Sequence, residues 1–200
     1  MSFLERPGEL LVIFGPPAVG KMTVGRAVCE RSDFRLFLNH DTIEPLLRIF
    51  GFDSPVFRPL SAEFRRRIVE ESAASGIRLV FTLMWDLQKP ESADYVTDLV
   101  APYADAGLPV SFVELVADLD TRLVRNRGAD RLDAKPSKRD LTWSEEHVRR
   151  MEAENVMQTD PSVPLPADAV LAAYRHLRID NEGSDPGAVA DEVVAWLAGR

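Results

Sequence analysis

Glu9-Leu10-Leu11-Val12-Ile13-Phe14-Gly15-Pro16-Pro17-Ala18-Val19-Gly20-Lys21-Met22-Thr23 is the stretch that decides how this 200-residue chain reads. The apolar run Leu10 to Phe14 has the length and composition of a buried strand. A loop bounded by two glycines follows, and then a helical pattern from Thr23 to Arg31. The spacing Gly15-x-x-x-x-Gly20-Lys21 is that of a phosphate-binding P-loop (Walker A). The glycines let the backbone turn tightly and aim N–H groups at a phosphate. The loop runs into a helix N-terminus, where free N–H groups and the helix dipole favour an anion. Lys21 adds a full positive charge for β- and γ-phosphates. Gly15, Pro16, Pro17, Ala18, Val19, Gly20, Lys21, Met22 and Thr23 are therefore the candidate residues for binding ATP.

One position departs from the motif. The residue after the lysine is Met22, where a Ser or Thr hydroxyl usually ligates magnesium. Thr23 comes one residue late and on a helix points about 100° away. It is carried as a candidate metal ligand on that footing.

Outward from this stretch, strands alternate with helices. Phe34 to Leu38 reads as the second strand and ends in Asn39-His40-Asp41. Asp41 or Thr42 suits the cap of a short helix, Ile43 to Phe50. Ser61 opens a helix that Gly76 ends. Ile77 to Met84 is the third strand and runs into Trp85-Asp86. A helix from Glu91 to Ala106 and a fourth strand, Pro109 to Val116, come next. Leu119 to Arg127 is helical, and a polar stretch, residues 128–140, follows it. Ser144 is positioned to cap the next helix. Residues 159–166 form a proline-rich loop, a simple connector. The fifth strand is His176 to Asp180, and the last helix runs from Pro186 to Leu197. This alternation predicts an α/β fold, a five-stranded parallel sheet with helices on both faces built as a P-loop NTPase core. Ligands then collect at the carboxyl ends of the strands.

Composition narrows the function. A length of 200 residues with 46% hydrophobic content suits a single domain, 1–200. The net charge of −8 argues against a general nucleic-acid binder. Cys29 is the single cysteine, so no disulfide forms within the chain, and it reads as a small apolar residue in a helix. The N-terminal residues lack a signal-peptide pattern, and no apolar run is long enough to span a bilayer. The expectation is a cytoplasmic protein with no membrane and no nucleic-acid partner.

The form Gly-Pro-Pro-Ala-Val-Gly-Lys-x-Thr-Val and the strand ending at His40 resemble a group of small bacterial P-loop proteins. So do Val113 to Asp118, the segment from Arg131 to Trp143 and Leu177 to Asn181. That group is labelled AAA-family ATPases or shikimate-kinase-like proteins. More widely the layout is similar to nucleoside-monophosphate kinases, shikimate kinase and chloramphenicol phosphotransferase. The resemblance implies substrate-binding helices over 42–76 and a lid over 122–142. It places the adenine edge along the segment that begins at Asn181.

Within that frame several residues carry chemistry. Asp41 is a candidate base, because a carboxylate can take the proton of a substrate hydroxyl. His40 is a candidate substrate contact. Arg48, Arg58 and the run Arg65 to Arg67 offer charge for an anionic substrate. Asp86 follows an apolar strand and is the magnesium candidate, with Asp118 repeating the pattern one strand later. Either aspartate also suits a helix or turn cap. Arg122, Arg125, Arg127, Arg131, Lys135, Lys138 and Arg139 cluster in the lid segment, where cations would stabilise a transferring phosphoryl group. Arg127 and Arg131 are the first choices for phosphate, and Arg125 or Arg127 for stacking on adenine. The leading expectation is a small-molecule kinase that uses ATP and Mg2+ to phosphorylate a small acceptor. The alternative is an NTPase or nucleotide sensor with no small acceptor.

Overall fold

The computed structural model describes residues 7–128 and 141–199. Five parallel strands form one sheet in the order β2-β3-β1-β4-β5, with β1 at its centre. They are β1 (Glu9–Phe14), β2 (Arg35–Phe37), β3 (Arg78–Leu83), β4 (Val110–Val116) and β5 (Arg175–Asp180). The connecting helices are α1 (Lys21–Glu30), α2 (Asn39–Phe50), α3 (Phe57–Ala74), α4 (Pro90–Asp105) and α5 (Leu119–Asn126). After residue 140 come α6 (Leu141–Glu154), α7 (Asp168–Ala173) and α8 (Pro186–Ala198).

Both faces of the sheet are covered, which is why its central strands β1, β3 and β4 are buried along their whole length rather than on alternate residues. The pleat divides β1 between two cores. Leu10, Val12 and Phe14 join Phe81, Phe112 and residues of α3, α4 and α7. Leu11 and Ile13 face the other way, toward Val24 and Val28 of α1 and Val189 and Val193 of α8. All five residues Leu10–Phe14 are fully buried, and each such side chain contributes roughly 1.5–3 kcal/mol. In register, Ile13 pairs with Thr82 and Phe14 with Leu83 and Glu114, so the carboxyl ends of the three central strands lie level.

Helix boundaries differ from the sequence reading in three instructive places. First, α2 starts at Asn39, not Ile43, because Asp41 Oδ2 accepts the Leu38 N–H at 2.8 Å and tightens an earlier first turn. Second, α3 starts at Phe57, not Ser61; Pro59 sits in its first turn, where its missing N–H has no helical partner to lose. Third, Ser144 is no cap. It lies inside α6, fully buried, and its Oγ donates to Asn126 Oδ1 of α5 at 3.1 Å. The short α7 after the proline-rich loop had no separate sequence signal.

Candidate active site

The loop from Gly15 to Gly20 is held in a conformation that only certain residues tolerate. Gly15 has φ 140° and Gly20 φ 110°, and Ala18 between them is left-handed at φ 64°. A Cβ at Gly15 would lie 2.4 Å from the Leu115 carbonyl oxygen of β4, so the loop can leave β1 only through a glycine. Helix α1 begins directly at Lys21, with Gly20 as its N-cap. Its first N–H groups therefore open onto the loop. Lys21 Nζ donates to the carbonyls of Gly15 (2.6 Å) and Pro16 (2.7 Å), which fixes the ammonium over the hollow.

A second layer holds the loop from behind. Asn181, buried just after β5, donates from Nδ2 to the Val19 carbonyl at 2.8 Å. Arg125 Nη1 donates to the same carbonyl at 3.1 Å and to Asn181 Oδ1 at 3.2 Å, while its Nη2 reaches the Asn181 carbonyl at 2.8 Å. Arg125 thus clasps the P-loop to the β5 end. The sequence reading placed the Asn181 segment near the nucleotide but not its side chain under Val19.

Beside the loop lies a cavity of about 180 Å³. Pro17, Ala18, Lys21 and Met22 form one side, and Leu38, Asn39, His40 and Ile43 at the start of α2 form another. Phe52, the β3 end at Thr82 and Met84, and His147 of α6 complete it. Thr82 Oγ1 accepts the Asn39 N–H at 3.1 Å, which pins the start of α2 to β3. Behind that turn is a buried polar joint. Thr42 Oγ1 donates to the Asn39 carbonyl at 3.0 Å, accepts from Arg65 Nε at 3.0 Å and lies 3.2 Å from Ser61 Oγ. His40 Nδ1 is 3.8 Å from Glu44 Oε1, one helical turn on.

The structure separates the sequence candidates. His40 lines the cavity, whereas Asp41 is exposed and engaged at the helix start. Arg65 joins α2 to α3, and Arg66 and Arg67 pair with Glu70 and Glu71, so this run serves its own helices. Arg122 is fully buried, donating to the Ala117 carbonyl at 3.0 Å and to Glu152 of α6 at 2.6 Å. Arg127 is exposed and pairs with Glu145 at 2.7 Å, and these two arginines brace α5 against α6. Glu145 is held below its ordinary pKa by its bonds from Arg127 and Arg149. Arg131, Lys135, Lys138 and Arg139 lie outside the described residues. His147, on α6, lines the cavity and stacks on Trp143 at 5.2 Å. Its signal was the i, i+4 spacing of the two rings on one helical face.

The expected magnesium ligands do not meet here. Met22 lines the cavity with a thioether, and a hard cation prefers oxygen. Thr23 is exposed and is not part of the wall. Asp86 is turned toward the residues after α6: Oδ1 accepts the N–H of Val156 (3.3 Å) and Gln88 (3.4 Å), and Oδ2 lies 2.7 Å from Lys89 Nζ. Asp118 is exposed at the N-cap of α5. Among the described residues no cluster of three or more His, Cys, Asp or Glu could hold a metal. At the place of the usual hydroxyl ligand, then, the thioether of Met22 does not fit a hard cation, and Thr23 and Asp86 are not brought together with it.

Beside β5, the edge strand opposite β2, sits a second cavity, about 400 Å³, lined by the 159–164 loop, α7 and His176. Buried Glu114 lies next to it. Its oxygens accept the Thr159 N–H and Oγ–H, both at 2.7 Å, and His176 Nε2 is 3.3 Å away. Burial alone would raise the Glu114 pKa, but the bonds from His176 and Thr159 pull it below its ordinary value.

A parallel sheet with β1 central, a glycine-bounded loop at its carboxyl end and a lysine over that loop define the P-loop kinase type of fold. No family model matches the chain, and no curated protein matches it. Solved structures do. The APS kinase CysC of Mycobacterium tuberculosis, in complex with AMPPNP and APS, aligns at 19% identity over 96% of this chain and 99% of its own, with a TM-score of 0.58. Shikimate kinase from Acinetobacter baumannii, in complex with shikimate, aligns at 16% identity over 97% and 94%, TM-score 0.56. The tunicamycin resistance protein of Deinococcus radiodurans aligns at 18% identity over 95% of both chains, TM-score 0.53. At these identities the likeness is one of fold.

Proposed function

We propose that this protein is an ATP-dependent kinase of a small hydroxyl compound. The observation that carries the reading is the junction at Lys21 and Met22. These residues belong at once to the phosphate-binding loop and to the wall of the adjoining cavity. A nucleotide with its phosphates in the loop presents its terminal phosphate to whatever occupies that cavity. The kinase neighbours, including one seen with AMPPNP, support ATP as the donor.

In the proposed reaction an acceptor oxygen attacks the γ-phosphorus and the bond to the β,γ-bridging oxygen breaks. ADP leaves, and the acceptor proton passes to the His40 imidazole. The Glu44 carboxylate, 3.8 Å from Nδ1, would stabilise the imidazolium so formed by its charge. Lys21 and the N–H groups at the start of α1 hold the charge on the phosphates. Residues 42–76 supply one side of the acceptor site, as their place in the chain suggests.

The test is a transfer assay with γ-labelled ATP and magnesium against pooled nucleosides, sugars, amino alcohols and aromatic alcohols. Label in an organic product upholds the kinase reading. Label released only as free phosphate, whatever the pool, replaces it with a nucleotide hydrolase or sensor, the reading that Met22 and the turned-away Asp86 favour. His40→Ala is expected to lower transfer by about 10²-fold or more while sparing nucleotide affinity.

A further inference from the structure

Two histidines line the cavity beside the P-loop, and their neighbours favour opposite tautomers. His40 Nδ1 lies 3.8 Å from Glu44 Oε1. A carboxylate only accepts, so the proton of the neutral ring belongs on Nδ1 and Nε2 keeps its lone pair. At His147 the neighbour has the reverse character. Arg150 Nη2 lies 3.3 Å from Nδ1. A guanidinium only donates, so Nδ1 must accept, and in the neutral ring the proton sits on Nε2. One histidine of the cavity is then a base and the other a donor, which is how paired groups divide acid and base roles.

His147 is held for such a role. One face of its ring stacks on Trp143, with 5.2 Å between centroids and 11° between planes. With that face on Trp143 and Nδ1 on exposed Arg150, the Nε2 edge is the polar part of the ring that serves the cavity. The helix beneath it is tied along its length: Ser144 to Asn126, Glu145 to Arg127, Glu152 to Arg122, and the Glu154 carbonyl to Gln88 Nε2 at 3.2 Å. A donor on a fixed element costs no reorganisation when charge develops in front of it.

The same wall contains Pro17, Ala18 and Lys21 of the P-loop. The cavity volume of about 180 Å³ is below the roughly 300 Å³ of a drug-sized pocket, so the groups that line it are within reach of one small group between them. A phosphoryl group in transfer spreads its charge over three equatorial oxygens. Charged oxygens accept hydrogen bonds roughly twice as strong as neutral acceptors do. The attacking hydroxyl is the poorer partner, because a donor there would hold back the lone pair that attacks.

We infer that His147 is a catalytic residue of this site: its Nε2–H donates to an oxygen of the nucleotide's terminal phosphate and keeps its proton throughout. Arg150 is a positioning residue that acts through His147. The inference deepens the kinase reading and rests on it for the transfer step, but its test separates the two. AMPPNP, which carries a terminal phosphate, and ADP, which does not, are titrated with magnesium into the full chain and read by calorimetry. His147→Ala is expected to weaken AMPPNP about tenfold and ADP less than about twofold. His147→Gln, whose amide N–H reaches to where Nε2–H stands, is expected to recover most of the AMPPNP affinity. Nitrogen-15 spectra of the histidines are expected to show the Nε2–H tautomer at His147, and AMPPNP but not ADP should shift that N–H. Arg150→Ala is expected to mix the tautomers and weaken AMPPNP about threefold. Equal losses for both nucleotides, no recovery with glutamine, the Nδ1–H tautomer, or a tautomer indifferent to Arg150→Ala overturns the inference. An AMPPNP preference that depends on His147, with no acceptor ever gaining label, upholds the inference and breaks the kinase reading. Label passed to an acceptor, with an AMPPNP preference that ignores His147, upholds the kinase and breaks the inference.

Discussion

The phosphate cradle and the acceptor cavity share Lys21 and Met22 but are built in different ways. The cradle is contiguous. Its backbone angles, its lysine and the N-terminus of α1 all come from Gly15 to Met22, and one strand positions them. The cavity draws on the P-loop, the start of α2, the loop at Phe52, the end of β3 and α6. Local geometry imposes residue types on a contiguous element, since a side chain at Gly15 would strike the Leu115 carbonyl. A composite pocket imposes types only through tertiary packing, so its chemistry is free to vary while the cradle stays fixed.

Removing the cradle's charge gives the largest contrast. Lys21→Ala is expected to lower phosphoryl transfer by about 10²–10³-fold while the urea midpoint stays near wild type, because the Gly15 and Pro16 carbonyls that Nζ bonds lie in the loop and not in the core. Transfer that survives would show that the two regions do not meet at this residue. The flank of the cavity is sharpened next by a pair of arginines. Arg122→Ala empties a fully buried guanidinium site and strands Glu152, for an expected loss of about 2–3 kcal/mol in urea unfolding. Arg127→Ala, at an exposed pair, is expected to cost less than about 0.5 kcal/mol. Equal losses would mean that α5 and α6 are not held by the buried contact.

Asn181→Ala removes one of the two donors to the Val19 carbonyl and loosens the other, Arg125. A loss of about 1–2 kcal/mol is expected, together with weaker ADP binding by calorimetry. Unchanged ADP affinity would mean that the clasp behind the loop does not shape the cradle. Glu114, at the second cavity, gives a pH-dependent contrast. Its folded pKa lies below its ordinary value, so its stabilisation is present above the unfolded carboxylate value and is lost as pH falls through the folded one. The stability gap between wild type and Glu114→Gln should therefore narrow below about pH 4.3. A gap that widens on acidification would contradict the hydrogen-bond account. The smallest effect concerns the metal. With Met22 in place of a hydroxyl, magnesium should change ADP affinity little, and Met22→Ser should add a dependence of about threefold. Calorimetry with and without magnesium reads it directly.

The same division explains what the sequence disclosed. Spacing alone revealed the cradle, because glycines and a lysine at fixed offsets answer a local steric demand. The apolar runs revealed the three central strands most clearly, because every residue of β1, β3 and β4 is buried, whereas β2 and β5 at the edges carry exposed Arg35, Arg178 and Asp180. The helical offset of Thr23 from the usual ligand position was legible too, and its exposure agrees with it. Partnership across the chain was not legible. Ser144 has the residue type of a cap, yet α5 lies against it and claims its hydroxyl. Asp86 stands at a strand end as a magnesium ligand would, yet Lys89 and the Val156 N–H turn it aside. Arg122 sits in a charge-rich run, and only the packing of α6 shows that it is buried.

The account rests on the phosphates lying in the Gly15–Lys21 loop, against the cavity that contains Met22 and His40. Backbone amide shifts of the labelled protein, followed while ADP is added, test it most directly. The largest changes are expected at residues 15–22, with smaller ones at Arg125 and Asn181 and at the cavity residues His40 and Thr82. Changes centred instead on Thr159, Leu171 and His176, around the second cavity, would contradict it.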